Sequence, residues 1–205
     1  MKVALILFDV DLKDFNLESY YTIGVDKGAL NASLSNIHLD LAIGDFDSVT
    51  EDEFDIIKNN SNNIIKLNPI KDTTDTEEAL KNALKISDDI TIFGGISGKR
   101  IEHFLSILSL FNKYSKLHIV DNNSHIFLID KNFIIKKNEY KYISFFSLDN
   151  NLILSLKGFK YELSNYNLKM FDPLCVSNEF VKDIGKIEAN NKLLVVLSKS
   201  DNLFD

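Results

Sequence analysis

A chain of 205 residues can bury a full core in one large or two small domains, and its 45% apolar and 26% charged residues are ordinary for a soluble globular protein. A formal net charge of −7 argues against a generally basic nucleic-acid surface, so phosphate ligands would need metal ions or local positive charge. The single cysteine, Cys175, excludes an intrachain disulfide and fits a reducing compartment as a buried, inert thiol.

The opening apolar run soon meets Asp9 and Asp11, without the length or cleavage pattern of a signal peptide. No run reaches the roughly 20 apolar residues of a membrane span, so the expected location is the cytoplasm. Nearly continuous apolar segments at Lys2–Phe8, Tyr20–Val25, Leu39–Ile43, Asn63–Leu67, Asp89–Phe93 and Leu117–Val120 read as strands buried on both faces of a parallel sheet. Helices fall between them. Thr50-Glu51-Asp52-Glu53 is a capping box, and Thr74-Asp75-Thr76-Glu77 repeats it ahead of a helix over Glu78–Ile86. Lys99–Tyr114 carries a helical apolar stripe at Ile101, Phe104, Leu105, Leu108 and Phe111. This alternation predicts right-handed βαβ crossovers and an α/β domain over residues 1–122.

From residue 123 the pattern becomes short strands: His125–Ile129, Phe133–Lys136, Tyr142–Leu148, Leu152–Leu156, Lys160–Leu163 and Leu193–Ser198. Asp149-Asn150-Asn151 and Asn190-Asn191 read as hairpin turns. Residues 123–205 are therefore expected to form a small antiparallel β-sandwich.

Function is written in the loops at the strand ends. Ligands of open α/β sheets bind outside the carboxyl ends of the strands. Four such ends here run into Asp26-Lys27-Gly28-Ala29, Gly44-Asp45-Phe46-Asp47-Ser48, Lys71-Asp72-Thr73-Thr74-Asp75 and Gly94-Gly95-Ile96-Ser97-Gly98-Lys99-Arg100. In a parallel sheet Asp26, Asp45, Asp47, Asp72 and Asp75 would converge and repel, raising one another's pKa values. A Mg²⁺ ion bridging carboxylates to phosphates relieves that repulsion. The glycine-rich loop opens a helix whose first N–H groups suit phosphate oxygens, and Lys71, Lys99 and Arg100 add positive charge. Asp47-Ser48 and Asp75 also fit plain turn or N-cap positions. Gly94 and Gly98 enclose three residues rather than four, and Arg100 stands where a P-loop has Ser or Thr, so a Walker-type ATPase is rejected. No GxGxxG dinucleotide fingerprint is present.

Taken in order, these four motifs, with His103 closing the last one, resemble those of thiamine pyrophosphokinases. Ser177-Asn178-Glu179-Phe180 is similar to the family's late Ser-Asn motif, and Gly158-Phe159-Lys160-Tyr161 to its Gly-x-Lys-Trp/Tyr strand. The resemblance implies a homodimer in which thiamine lies between one subunit's nucleotide domain and the other's β domain. It also implies that the thiamine hydroxyl attacks the β-phosphorus of ATP and AMP leaves. Carried over residue by residue, Asp45, Asp47 and Asp75 would hold Mg²⁺, with Asp26 and Asp72 supporting the metal and phosphates. Lys71, Lys99, Arg100 and His103 would face ATP. Ser177, Asn178 and Tyr161 would contact thiamine, and Asp72 or Asp75 would take the hydroxyl proton. Three positions depart from the family pattern: Lys99 for a glycine, Glu102 for an aspartate and Ile107 for an asparagine. They leave two alternatives: another hydroxymethyl heterocycle such as a pterin as acceptor, or a non-catalytic nucleotide- or thiamine-binding protein.

Overall fold

The computed structural model describes residues 1–98, 100–170 and 172–200. The chain forms two compact units, one over Met1–Asn122 and a second beginning at Asn123.

The first unit runs β1 (Lys2–Ile6), β2 (Tyr20–Val25), α1 (Lys27–Leu34), β3 (Leu41–Gly44), α2 (Glu51–Asn59), β4 (Ile64–Lys66), α3 (Asp75–Ala83), β5 (Ile90–Phe93), α4 (Ile101–Ser109) and β6 (Leu117–Val120). Its strands lie in the order β4-β3-β2-β1-β5-β6, and every pairing within it is parallel. The chain steps outward from β1 through β4 and then returns to place β5 on the other side of β1. That reversal puts the topological switch point, where open α/β sheets bind ligands, between the carboxyl ends of β1 and β5. The apolar runs of β1 and β3 are buried on both faces, as a sheet covered by helices requires. Ala4 and Ile6 join Ala29, Ala32 and Ile57 in one core cluster, so α1 and α2 cover that face. No α3 residue joins the cluster, and α3 packs across β1, β2 and β3.

The capping box at α2 is complete: Glu53 N–H donates to Thr50 Oγ1 at 3.3 Å, and Thr50 N–H donates to Glu53 Oε2 at 2.8 Å. At α3 Thr74 accepts from Glu77 N–H at 3.1 Å, while the Glu77 carboxylate accepts from Lys113 at 2.8 Å instead of closing a box. The expected apolar stripe of the last helix is rotated. Of its residues Phe111 is buried as expected and Phe104 and Leu108 are half-buried, but Ile101 and Leu105 are 63% and 58% exposed, and Ile107 and Leu110 join the buried side. Helix α1 starts inside the stretch read as the loop Asp26-Lys27-Gly28-Ala29, and no side-chain cap announces it. Its glycine is there for close approach: a Cβ would sit 2.0 Å from the Ile6 carbonyl oxygen.

The second unit contains β7 (Ser124–Ile129), β8 (Phe133–Lys136), β9 (Tyr142–Ser147), β10 (Leu152–Lys157), β11 (Leu163–Leu168), β12 (Ile184–Ala189) and β13 (Leu193–Ser198). One sheet carries β7-β13-β9 and the other β11-β10-β12-β8, all antiparallel. Phe127, Ile143, Phe145 and Val195 of the first meet Leu152, Leu154, Leu156 and Ile187 of the second in a shared core, which makes the unit a β-sandwich. The two expected hairpins are corrected: β9 and β10 belong to different sheets, as do β12 and β13, so both turns carry the chain across the sandwich. The strand expected over Lys160–Leu163 lies at β11 instead, and β12, with its alternating burial, was not anticipated. Cys175 is buried and desolvation pushes its thiol up to about 11, which leaves it inert near neutrality. Among the described residues no helix is long and apolar enough to cross a membrane.

Candidate active site

The parallel sheet brings the acidic turns to one edge. Asp26 follows β2 and caps α1 with a left-handed backbone, φ 49°. Its N–H donates to the Ile43 carbonyl at 3.0 Å, which ties the turn to the end of β3. The next turn begins there with Gly44, where a Cβ would lie 1.8 Å from Asp26 Oδ1. Only glycine leaves room for that carboxylate. Gly44→Ala is therefore expected to lower stability by about 1–3 kcal/mol through overpacking, measured by urea unfolding; an unchanged midpoint would contradict the packing described.

Phe46 anchors the same turn. It is buried despite φ 57°, and its ring meets Phe54 of α2 edge-on at 5.1 Å. The turn is pinned on both sides of Phe46: its N–H donates to Asp26 Oδ1 at 3.4 Å, and the Asp47 N–H donates to Asp45 Oδ1 at 3.1 Å. Asp47 is exposed beside it.

Asp75 opens α3. Lys71 Nζ stands 3.0 Å from Asp75 Oδ1 and also donates to the Asn68 carbonyl at 3.2 Å. Asp75 Oδ1 is buried, with the Lys71 ammonium as its ionic neighbour and no hydrogen bond. Asp72, in the loop before α3, is exposed.

Electrostatics links these turns. The Asp26 carboxyl is raised to about 6, first by desolvation, then by the charge of Asp75, with Asp45 adding to it; the Phe46 N–H and Lys71 pull the other way. Asp45 and Asp75, from two other strand ends, thus both act on Asp26, with Lys71 as a counter-charge. Excess negative charge at one edge of the sheet suits a hard divalent cation. Among the described residues no three His, Cys, Asp or Glu side chains are already gathered in metal-binding geometry.

The fourth loop leaves β5 through two left-handed glycines, Gly94 at φ 94° and Gly95 at φ 82°. Lys99 lies outside the described residues. Arg100 precedes α4 and pairs with Glu102 at 2.7 Å; both side chains are exposed, so the pair is solvent-screened and Arg100 can change partner at little cost. His103 is exposed at the start of α4, its N–H donating to the Arg100 carbonyl at 3.0 Å. Ile107 packs beneath the loop, where a Cβ on Gly95 would come within 2.5 Å of its Cδ1. Asp9, just after β1, was missed by the motif reading; it accepts from the Gly95 N–H at 2.5 Å. Its signal in the sequence is an acidic residue where an apolar strand ends at the switch point.

In the second unit Ser177, Ser144, Ser124, Ser198 and Tyr142 line a polar concavity of about 420 Å³. Ser177 has φ 56° and donates its N–H to Ser144 Oγ at 2.9 Å. Asn178 is only 2% exposed. Its Oδ1 accepts from the Tyr161 N–H at 3.0 Å and the Glu179 N–H at 2.9 Å, and its Nδ2 donates to the Tyr161 carbonyl at 2.8 Å. Asn178 therefore holds the backbone beside Tyr161, a residue 59% exposed with the Lys160 ammonium 5.7 Å from its ring centroid.

Comparison with known proteins follows the same division. Residues 12–121 match the family model for the thiamin pyrophosphokinase catalytic domain, and residues 131–194 match that for the thiamin pyrophosphokinase vitamin B1 binding domain. A thiamine pyrophosphokinase of Bacillus subtilis (strain 168) is 34% identical over 198 residues, 93% of this chain and 92% of that protein. The crystal structure of thiamine pyrophosphokinase from Bacillus subtilis superposes with a TM-score of 0.88 at 31% identity, covering 98% of this chain and 100% of its own. That of a thiamin pyrophosphokinase family protein from Enterococcus faecalis does so with a TM-score of 0.87 at 26% identity over the same shares.

Proposed function

Because the chain belongs to the thiamin pyrophosphokinase family, we propose that its acidic strand ends hold Mg²⁺ against ATP while thiamine takes a diphosphate group, giving thiamine diphosphate and AMP. The observation that supports the site assignment is the arrival of Asp26, Asp45 and Asp75 from the ends of three neighbouring parallel strands, where Gly44 leaves room for the Asp26 carboxylate and the charges of Asp75 and Asp45 raise its pKa.

Asp45, Asp47 and Asp75 are the proposed Mg²⁺ ligands. When bound, Mg²⁺ draws charge from the β- and γ-phosphate oxygens and makes the β-phosphorus more electrophilic. The chain's own groups do the rest. Lys71, now beside Asp75, offers its ammonium to the phosphates when the nucleotide arrives. Arg100 exchanges Glu102 for a phosphate oxygen, and His103 lies at the same helix start. Asp26 and Asp72 support the carboxylate cluster. Asp72 or Asp75 accepts the proton of the attacking hydroxyl. Catalysis of this kind rests on positioning and preorganised charge.

Ser177 and the exposed face of Tyr161 form the proposed thiamine surface, with Asn178 fixing the backbone between them. The flat, amphipathic ring of Tyr161 suits a heteroaromatic cation. The active form is a homodimer in which thiamine on the β unit of one protomer serves the nucleotide unit of its partner, and the expected compartment is the cytoplasm.

Incubation of the purified protein with ATP, Mg²⁺ and thiamine should yield AMP and thiamine diphosphate in equal amounts. ADP with thiamine monophosphate would contradict attack at the β-phosphorus. Turnover with another hydroxymethyl heterocycle alone would move the acceptor, and tight binding without AMP would make the protein a binder.

A further inference from the structure

We propose that Asp9 is a positioning residue that locks the glycine-rich loop Gly94–Gly98 for the ATP phosphates, an inference that rests on the reading of this loop as the phosphate site. Two successive left-handed glycines have little intrinsic stiffness, so the loop must be held from outside. The Gly94 N–H is fixed by the Val120 carbonyl of β6 at 2.8 Å. The Gly95 N–H is fixed by a side chain, Asp9 Oδ1, at 2.5 Å. The ring of contacts is tight: a Cβ on Gly94 would come within 2.9 Å of that same oxygen, and one on Gly98 within 3.5 Å of Asp9 Oδ2. The carboxylate is therefore bracketed by three glycines of one loop.

Asp9 is itself held in place. Asn31 Nδ2 on α1 donates to the Val10 carbonyl at 2.9 Å and the Phe8 carbonyl at 3.3 Å, clamping the turn on either side of Asp9. Val10 is buried beneath it. The hydrogen-bonded path thus runs from helix α1 through the β1 turn to the amide of Gly95, across the switch point between β1 and β5. Asp9 Oδ2 is buried with no hydrogen-bond partner. The useful atom is accordingly the acceptor Oδ1, and the second oxygen is a cost the fold carries to keep it there.

The experiment separates the acceptor from the charge. Asp9→Ala removes the acceptor and should raise the KM for ATP about tenfold, as loss of one charge-assisted hydrogen bond does. The KM for thiamine should hold, and the melting temperature should fall by no more than a few degrees, because the lost Gly95 N–H acceptor is offset by removal of a buried, unpartnered carboxylate oxygen. Asp9→Asn keeps an acceptor oxygen of the same reach and should restore an ATP KM within about threefold of wild type, at a melting temperature no lower than wild type. Equal impairment of Asn and Ala variants would overturn the positioning role, since charge would then be what matters. So would an ATP KM unchanged in Asp9→Ala while Arg100→Ala raises it. No change in either variant would instead overturn the loop as the phosphate site.

Discussion

Asp75→Asn should lower kcat by about 100- to 1,000-fold at saturating ATP, Mg²⁺ and thiamine, the usual scale for losing one preorganised charge at a transition state. The substitution conserves shape. Thr74 still caps α3 through the Glu77 N–H, and the ion pair with Lys71 is exchanged for relief of the repulsion that Asp75 exerts on Asp26. The gains and losses in folding stability oppose one another, so the melting temperature should stay within a few degrees. Loss of activity with the fold intact is what distinguishes a carboxylate in the phosphate chemistry from a helix-start residue. A kcat within about threefold of wild type would return Asp75 to the plainer role of a first-turn aspartate favoured by the helix dipole.

The second large effect concerns pH and stability in metal-free buffer. Asp26 has a folded-state pKa of about 6 against an ordinary value of 3.8, so the folded protein holds this proton more tightly than the unfolded chain. The sign follows from linkage: the stabilisation is fully present below pH 3.8 and is lost as pH rises through 6. Above that pH the folded state carries an ionised carboxylate facing Asp75 and Asp45. Asp26→Asn abolishes the titration and should be more stable than wild type at pH 7 by about 1–2 kcal/mol, after discounting the shift for partial solvent exposure. The advantage should vanish by pH 4. Urea unfolding of both proteins with EDTA across this range gives the comparison, and added Mg²⁺ should shrink the difference at pH 7 by compensating the wild-type charge. A pH-independent difference would mean that Asp26 is not electrostatically strained.

The same balance explains what the sequence could and could not reveal. Inner strands such as β1 and β5 were legible because both their faces are largely buried, so they read as apolar runs without knowledge of their partners, whereas the edge strand β4 is half-buried to exposed despite its apolar sequence. Parallel pairing then placed Asp26, Asp45 and Asp75 at neighbouring strand ends by topology alone. Helix α1 was hidden because no side-chain cap marks its start at Asp26, and Gly28 in its first turn answers to the Ile6 carbonyl rather than to helix propensity. In the second unit, Asp149–Asn151 and Asn190-Asn191 announce turns. Turn residues carry no information on which sheet the next strand joins, and here both lead to the opposite sheet. The rotated stripe of α4 has a related cause: Ile107 packs under Gly95, a contact dictated by the loop and not by the helix's own periodicity.

Asn178 and Asp9 were the least legible of the site residues. The Ser-Asn motif suggested ligand contact for both members, yet the Asn178 amide is engaged by the backbone of Tyr161 and Glu179. Asp9 belongs to no motif, and its value lies in a hydrogen bond spanning 86 positions of sequence. The acidic residue after an apolar strand is visible in the sequence, but the backbone partners of Asp9 and Asn178 are not.

Diffraction at the manganese edge from crystals grown with Mn²⁺ and α,β-methylene-ATP tests the account most directly. An anomalous peak within about 2.3 Å of carboxylate oxygens of Asp45, Asp47 and Asp75, and in contact with the phosphates, is the expected result. A nucleotide bound with its metal away from those three residues, or phosphates lying outside the carboxyl ends of the parallel strands, would contradict it.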